Sequence, residues 1–535
     1  MTEEEAVTAA PWQDTVRRKL DQQKHIIENF LAGVETDAKL SIGPSTDVAE
    51  LLEGFERGDL SCVGTTKAFI QRACKTHETT NCLTELVFED ALRQAAALDD
   101  HVAKNETLAG PLHGIPVTVK DQFNIAGVDT TLGYVGRSFK PAVDDAVLVW
   151  MLRSLGALII AKSNLPQSIM WCETDNPLWG LTTHPLHKGY TPGGSTGGEA
   201  ALLSQGASLL GWGTDIGGSI RIPAHMMGLY GFKPTSSRLP YRGVPVSTEG
   251  QEHVPSSVGP LARSLRTIRL AMESLIRAKP WEADARCTPI PWREDVLKQI
   301  QDRPLVVGVL YDDEFVRPHP PISRVLKSAI KALQDAGHEV FEWDAQLHTD
   351  CIELMDEYYT VDGGEDIRND VSAGGEPLIP HVQRLVDRGD AISVYKYWQL
   401  NRRKWDLQQA YLEKWSSLQS PESGKIADVL VMPPMPHSAV PHRGCKWVGY
   451  TKVWNLLDYP AMVIPGGNVV QEDLEAEWDF EERNETDGWV KKLWTDNRDD
   501  MAAMSLPVGV QLVGRRFEEE KLLAAATVLD WLLRK

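Results

Sequence analysis

The chain has 535 residues, of which 42% are hydrophobic and 24% are charged. It can therefore bury a sizeable core, and a disordered or fibrous protein is excluded. The formal net charge is −20. A strongly acidic body repels nucleic-acid phosphates and anionic membrane surfaces, so we expect neither as a partner.

Three features of the sequence indicate a cytoplasmic protein. Residues 1–5 read Met-Thr-Glu-Glu-Glu, whereas a secretory signal begins with basic residues and then turns apolar. No stretch reaches the ~20 apolar residues that a membrane span needs. The seven cysteines are scattered and form no Cys-x-x-Cys pair, which is typical of free thiols in a reducing compartment rather than of disulfides or a zinc site.

The N-terminal part of the chain is predicted to be helical. Residues 11–31 carry apolar side chains at helical spacing, namely Val16, Leu20, Ile26, Ile27 and Leu31. We interpret this segment as a helix packed on the body, with an interaction arm as the alternative. Residues 1–45 are therefore treated as a helical extension, and residues 46–535 as one domain. Within that domain residues 46–104 are expected to be helical, with breaks at Gly58 and Gly64.

A change of pattern after residue 110 predicts an α/β sheet, because short β-prone runs alternate with helical segments. Strands are expected at residues 115–119, 157–161, 305–310, 338–341, 429–432 and 508–513, and helices at 146–155, 322–336 and 518–533. No repeat or low-complexity linker divides the chain. Residues 471–500 carry twelve Asp/Glu against four Lys/Arg. We interpret this stretch as a solvated surface insertion, with an acidic docking face for a basic partner as the alternative.

Two Gly-Gly-Ser turns mark the densest glycine region of the sequence. Residues 193–198 read Gly-Gly-Ser-Thr-Gly-Gly, and residues 213–219 read Gly-Thr-Asp-Ile-Gly-Gly-Ser. Residues 199–210 between them read as a buried helix, and a second helix is expected after Ser219, with Pro223 near its start. Glycines let backbone N–H groups point at a bound oxygen, as in an oxyanion hole, so a serine in such a turn is a candidate nucleophile.

Other interpretations of these turns remain open from the residues alone. They could be tight connections without a ligand, or a phosphate cradle, although no Gly-Lys-Ser/Thr pattern is present. Gly193–Gly197 also fits the Gly-x-Ser-x-Gly elbow of α/β-hydrolases, but that elbow follows a strand, and residues 184–192 are not strand-like. A serine nucleophile needs a base. Lys120 at the end of the run 115–119 could serve if burial lowered its pKa, whereas a lone lysine there could equally lie on the surface.

Together these segments resemble the amidase signature family. The resemblance rests on residues 213–224 (Gly-Thr-Asp-Ile-Gly-Gly-Ser-Ile-Arg-Ile-Pro-Ala), Gly-Phe-Lys-Pro-Thr at 231–235 and Gly-Ile-Pro-Val-Thr-Val-Lys-Asp at 114–121. The resemblance extends from about residue 46 to residue 535, and the local sequence is most similar to that of fungal acetamidase-like amidases. It implies a single large α/β domain with a central mixed β-sheet flanked by helices on both faces.

The resemblance also implies a catalytic site. Lys120, Ser195 and Ser219 fall on the family's Ser-Ser-Lys triad, with Ser219 as the nucleophile, Ser195 as the proton relay and Lys120 as the neutral base. The peptide between Gly194 and Ser195 is cis in the family. No metal or cofactor is implied.

The residues around the triad are assigned by the same resemblance. The oxyanion is expected to be held by backbone N–H groups of Ile216, Gly217, Gly218 and Ser219, with Ser195 also contacting the substrate. Supporting positions are Thr196, where many relatives have serine, Asp215 and Arg221.

The acyl pocket and the substrate are less defined. Met170 and Trp171 are candidates for the pocket wall, with a core position equally open for Trp171. The leading hypothesis is hydrolysis of a small carboxamide to a carboxylate and ammonia, by a protein that could form a homodimer. A pathway amidase for a larger metabolite, the amidase subunit of an amidotransferase and a non-catalytic binding protein are the alternatives.

Overall fold

One mixed sheet of eleven strands organises the molecule, which the computed structural model describes over residues 11–33 and 46–535. The strands are β1 Leu83–Leu86, β2 Pro116–Lys120, β3 Leu158–Ser163, β4 Leu210–Asp215, β5 Tyr230–Lys233, β6 Ser257–Ala262, β7 Val306–Val309, β8 Glu339–Glu342, β9 Val429–Met432, β10 Ala461–Asn468 and β11 Pro507–Val513. Their order across the sheet is β1-β3-β2-β4-β6-β5-β10-β11-β9-β7-β8, with parallel and antiparallel neighbours. All six strands predicted from the sequence are present, as β2, β3, β7, β8, β9 and β11.

Seventeen α-helices lie around these strands in the described residues. They are α1 Pro11–Ala32, α2 Val48–Arg57, α3 Cys62–Thr80, α4 Phe88–Asn105, α5 Val147–Ser154, α6 Gly197–Ser204, α7 Arg221–Met227, α8 Leu265–Arg277, α9 Glu294–Gln301, α10 Pro320–Asp335, α11 His348–Tyr358, α12 Glu365–Gly374, α13 Pro380–Val386, α14 Val394–Ser417, α15 Gly449–Leu456, α16 Glu485–Ala503 and α17 Glu519–Leu533. No helix in these described ranges is long and apolar enough to cross a membrane.

Both faces of the sheet are buried, as β9 illustrates. Val429 and Val431 pack into one large apolar cluster, whereas Leu430 and Met432 pack into a second. Successive strand residues point to opposite faces, so the two clusters lie on opposite sides of the sheet. The expected α/β domain with a central mixed sheet between helical layers is thus confirmed.

Two of the helical predictions need correction. Residues 46–104 hold three helices, but also strand β1, which the helical interpretation missed. Gly58 does end α2, in the left-handed conformation with φ 74°. Gly64 does not break a helix, because it lies in the first turn of α3 and its N–H is capped by the Ser61 hydroxyl at 3.0 Å.

The buried helix predicted over residues 199–210 is also too long. Helix α6 ends at Ser204, residues 205–209 form a connection, and strand β4 begins at Leu210. Gly206 takes a positive φ of 65° and donates its N–H to the Leu203 carbonyl, which closes the helix. The second predicted helix is present as α7, with Pro223 in its first turn.

Helix α1 packs on the body through polar residues and through three of its five predicted apolar positions, Val16, Ile26 and Ile27. Lys19 is buried and forms an ion pair with Asp129 at 2.9 Å, while the Gln23 amide donates to the Thr84 carbonyl at 2.7 Å. Leu20 and Leu31, which the helical pattern placed on the buried face, are exposed. Residues 1–10 and 34–45 of the predicted extension, including the Met-Thr-Glu-Glu-Glu start, lie outside the described residues.

The acidic stretch at 471–500 is anchored in the core. It contains a short 3-10 helix, Gln471–Glu475, and most of α16. Val490 and Trp494 of α16 are buried, and the buried Asp473 pairs with Arg324 at 2.6 Å. The segment therefore contributes apolar packing in addition to the solvated acidic surface that its charge predicts.

Candidate active site

The carboxyl ends of two neighbouring parallel strands meet at the candidate site. Strands β2 and β4 pair in parallel, with Val119 opposite Trp212. Lys120 ends β2, and two residues beyond Trp212 lies Thr214, so both side chains reach the same edge of the sheet. This register brings together residues that are about a hundred positions apart in the chain.

Lys120 is fully buried and contacts two hydroxyl groups. Its Nζ lies 2.7 Å from the Ser195 Oγ and 3.0 Å from the Thr214 Oγ1. The Thr214 hydroxyl donates to the Gln122 Oε1 at 2.7 Å, so its oxygen must accept from Lys120. A neutral lysine would then keep its lone pair for the proton of Ser195.

Burial lowers the pKa of Lys120 from its ordinary value to about 7, and the nearby carboxylates of Asp215 and Asp121 only partly oppose this effect. At neutral pH a substantial share of the amine is therefore unprotonated. A base with a pKa close to the working pH is suited to proton transfer. The lysine is thus a buried general-base candidate rather than the surface residue that its sequence position alone allows.

The two serines differ in exposure. Ser195 is 1% exposed and follows a cis peptide at Gly194–Ser195, as the resemblance implied. Ser219 is only partly buried and lines a cavity. The two turns are joined by the Thr196 N–H, which donates to the Ser219 carbonyl at 3.2 Å. The Thr196 hydroxyl is buried without a hydrogen-bond partner among the described residues. Thr196 therefore contacts the turn of Ser219 through its backbone N–H and not through its hydroxyl.

An ion pair fixes the turn that carries Ser219. Asp215 and Arg221 are both fully buried and form a bidentate ion pair. Nε and Nη2 of the guanidinium donate to the two carboxylate oxygens of Asp215 at 3.0 and 2.9 Å. Asp215 also accepts the Gly218 N–H at 2.8 Å and the Ile220 N–H at 3.1 Å. Burial would raise the pKa of Asp215, but the Arg221 guanidinium reverses this and holds it well below its ordinary value.

Helix α15 holds the turn from the other side. Its Asn455 amide donates to Asp215 Oδ1 at 2.9 Å, and the Thr451 hydroxyl donates to the Gly217 carbonyl at 2.7 Å. Gly218 has φ 131°, and a Cβ at that position would lie 2.4 Å from the Thr451 Oγ1. Glycine is therefore required there for both conformation and space.

The hydrogen bonds decide which predicted oxyanion donors are available. The Gly218 N–H is already engaged by Asp215. Within the described part of the chain, the N–H groups of Ile216, Gly217 and Ser219 have no recorded acceptor. These three groups border the cavity at residues that line it. Three of the four expected backbone donors are thus free to bind an oxyanion.

A cavity of about 1000 Å³ opens in front of Ser219. Met170 and Trp171 both line it, and the Trp171 ring stacks on the His381 ring with centroids 4.6 Å apart. Tyr359 lines the cavity as well, and its hydroxyl would lie 2.5 Å from a Cβ at Gly217. Trp171 therefore lines the cavity and also packs against the large apolar core.

Several residues of the site were not singled out by sequence reasoning. Thr214 lies inside a recognised motif, but only the register of β2 against β4 shows that it contacts Lys120. His381 and Tyr359 come from helical regions remote in sequence, and nothing in their local pattern marks them. In the described ranges, no group of three or more His, Cys, Asp or Glu side chains is arranged to hold a metal ion.

Comparisons with known proteins cover nearly the whole chain. A protein-family model described as Amidase matches residues 64–523. The chain is 50% identical to Amidase 1 of Gibberella moniliformis over 98% of its own length and 99% of that protein. It is 37% identical to an acetamidase of Emericella nidulans, over 94% of its own length and 91% of the relative. Among solved structures, a fatty acid amide hydrolase superposes with a TM-score of 0.85 at 30% identity, covering 98% of this chain and 91% of that one.

Proposed function

The chain belongs to the amidase signature family of hydrolases that act on amides, and we propose that it hydrolyses a carboxamide to a carboxylate and ammonia through an acyl-enzyme on Ser219. The observation that carries this proposal is the buried contact of Lys120 with Ser195, at 2.7 Å, beside the cavity that Ser219 lines. A buried lysine with a lowered pKa, a relay hydroxyl and an accessible hydroxyl are the parts that the mechanism needs.

The difference in exposure assigns the roles of the two serines in this proposal. The nucleophile must reach the substrate carbonyl, and Ser219 lines the cavity. Ser195 is enclosed and contacts the base, which suits a relay. In the acylation step neutral Lys120 takes the proton of Ser195, Ser195 takes the proton of Ser219, and the Ser219 oxygen attacks the carbonyl carbon.

The negative charge that develops on the carbonyl oxygen would be stabilised by the free N–H groups of Ile216, Gly217 and Ser219. Loss of one such donor typically costs about 10²–10³ in rate. Asp215 and Arg221 keep these groups in place but do not react. Their role is to hold the turn, since both are buried away from the cavity.

The proposed cycle balances in atoms and protons. When the C–N bond breaks, Ser195 returns a proton to the nitrogen, Lys120 reprotonates Ser195, and ammonia leaves. Water then attacks the ester on Ser219, with the same relay accepting its proton. The relay returns this proton to the oxygen of Ser219, and the carboxylic acid departs and loses its own proton to solvent.

The size of the cavity favours a larger metabolite over acetamide. Pockets of about 300–1,000 Å³ are typical of sites that enclose drug-sized ligands. The cavity in front of Ser219 measures about 1000 Å³, so acetamide would leave most of it to water. Because ammonia is the leaving group, the remaining space belongs to the acyl part of the substrate.

Labelling with a fluorophosphonate, followed by mass-spectrometric mapping, tests the assignment of the nucleophile. We expect the label on Ser219, and we expect Ser219→Ala to abolish both labelling and ammonia release from primary amides. Ser154→Ala is the matched control, because Ser154 is an exposed serine on α5. A label on Ser195, or full activity in Ser219→Ala, would contradict the proposal.

A further inference from the structure

The lining of the cavity carries a local positive charge on a strongly acidic protein. Five cationic side chains line it, namely Arg384, Arg388, Lys446, Lys452 and Lys492. Three acidic side chains line it as well, namely Asp356, Asp387 and Glu485. The lining is therefore net positive by two charges, whereas the whole chain has a net charge of −20.

Three of the five cations already have carboxylate partners. Lys452 donates to Asp356 at 2.7 Å, and Arg388 lies 3.8 Å from the same carboxylate. Lys492 pairs with Asp496 on the next turn of α16 at 2.6 Å. Lys492 therefore has a carboxylate of its own, whereas Lys452 and Arg388 share the single carboxylate of Asp356.

Arg384 and Lys446 are different. Neither has a carboxylate within 4.0 Å among the described residues. Both are exposed at the cavity, on α13 and in the loop before α15. The Lys446 ammonium lies 3.2 Å from the centre of the Trp489 ring, which holds the side chain at the cavity wall.

Arg384 and Lys446, the two cations without a carboxylate partner within 4.0 Å in the described part of the chain, act on the same region of the lining, which also holds Asp387 and Glu485. Burial lowers the pKa of Lys446, and the positive charge of Arg384 lowers it further, against the opposing effect of Glu485. Like charges held close together repel unless an anion lies between them. A guanidinium and an ammonium facing one cavity thus form a site that a carboxylate would stabilise.

We propose that the substrate is an amide whose acyl part carries a carboxylate, and that Arg384 and Lys446 bind this carboxylate at the outer end of the cavity. The proposal rests on the proposed function, because it takes Ser219 as the nucleophile and ammonia as the leaving group. The free amide end lies at Ser219, and the acyl body fills the cavity beside Trp171. The positive charge of Arg384 and Lys446 also explains how an acidic protein would capture an anionic substrate, since a local positive field steers association.

The test compares ω-carbamoyl carboxylates of increasing length, beginning with succinamic and adipamic acid, with their methyl esters. Ammonia release gives kcat/KM for each acid and its ester. For at least one chain length, we expect the acid to exceed its ester about tenfold, because two cations each contribute up to about fivefold at an exposed site. Raising the ionic strength should reduce this preference.

The charge variants identify the residues responsible. Arg384→Gln and Lys446→Gln should each lower the acid-to-ester ratio of kcat/KM about two- to fivefold, through KM rather than kcat. Lys327→Gln is the matched control, because Lys327 is an exposed lysine of α10 outside the cavity. It removes the same charge and should leave the ratio unchanged.

The outcomes distinguish failure of this inference from failure of the proposed amidase function. If neutral amides are hydrolysed but no acid is preferred over its ester, the carboxylate site is refuted and the amidase mechanism stands. The same holds if Lys327→Gln lowers the ratio as much as Arg384→Gln does. If neither charged nor neutral amides are hydrolysed, both the proposed function and this inference are refuted.

Discussion

The protonation state of Lys120 should determine how the reaction depends on pH. At pH 7 a pKa of about 7 leaves about half of the lysine neutral, whereas the ordinary value of 10.5 would leave only about three molecules in ten thousand. Burial thus raises the population of the active base by about a thousandfold. In the proposed mechanism the neutral form is the base, so kcat/KM should rise with pH, about tenfold per pH unit below 7, and level off above it.

The assay is a profile of kcat/KM for a neutral primary amide from about pH 5 to pH 9, measured by ammonia release. In Lys120→Arg the guanidinium stays charged, so we expect no recovery of activity at any pH in this range. A profile that is flat across this range, or that keeps rising beyond pH 9, would refute the reasoning. So would a Lys120→Arg variant with the activity of the wild type.

Two further predictions concern the residues that position the base and the turn. Thr214→Val removes the acceptor that lies 3.0 Å from Lys120. We expect about a tenfold loss of kcat, together with a shift of the acidic limb of the pH profile to lower pH, because the charged lysine loses the most. An unchanged profile would argue against this contact. Asp215→Asn leaves the buried Arg221 without its counter-charge and should destabilise the protein by about 3–5 kcal/mol, and an unaltered midpoint of thermal unfolding would contradict this.

The chemistry of the site was largely predictable because it lies in short, continuous segments. Ser195 and Ser219 each lie in a glycine turn directly before a helix, and Lys120 ends a strand, so the resemblance of these short segments to the family's motifs singles out all three. Because β2 and β4 are parallel neighbours, their register then places Lys120 beside the end of β4. The same register accounts for what was missed, because no local pattern shows that Thr214 faces the lysine.

The substrate pocket could not be predicted in the same way. Its wall joins Trp171, His381 and Lys446, which come from segments far apart in the sequence. The sequence offered Trp171 as a candidate for the wall, but nothing local marks His381 or Lys446, and only tertiary packing brings the three to one cavity. The acidic stretch at 471–500 shows the same limit, because its charge masks the buried face of α16 and the position of Trp489 against the cavity.

The electrostatic balance around Lys120 explains why a lysine beside two carboxylates can be neutral. Asp215 and Asp121 both favour its charged form, yet desolvation prevails. Asp215 is neutralised by Arg221 at 2.9 Å, and Asp121 lies 3.9 Å from the buried Lys162. Each carboxylate therefore has its own cation, and little of its field remains for Lys120. The ion pair that holds the turn before Ser219 thus also helps to keep the pKa of Lys120 low, so the geometry and the proton chemistry of the site depend on the same buried contacts.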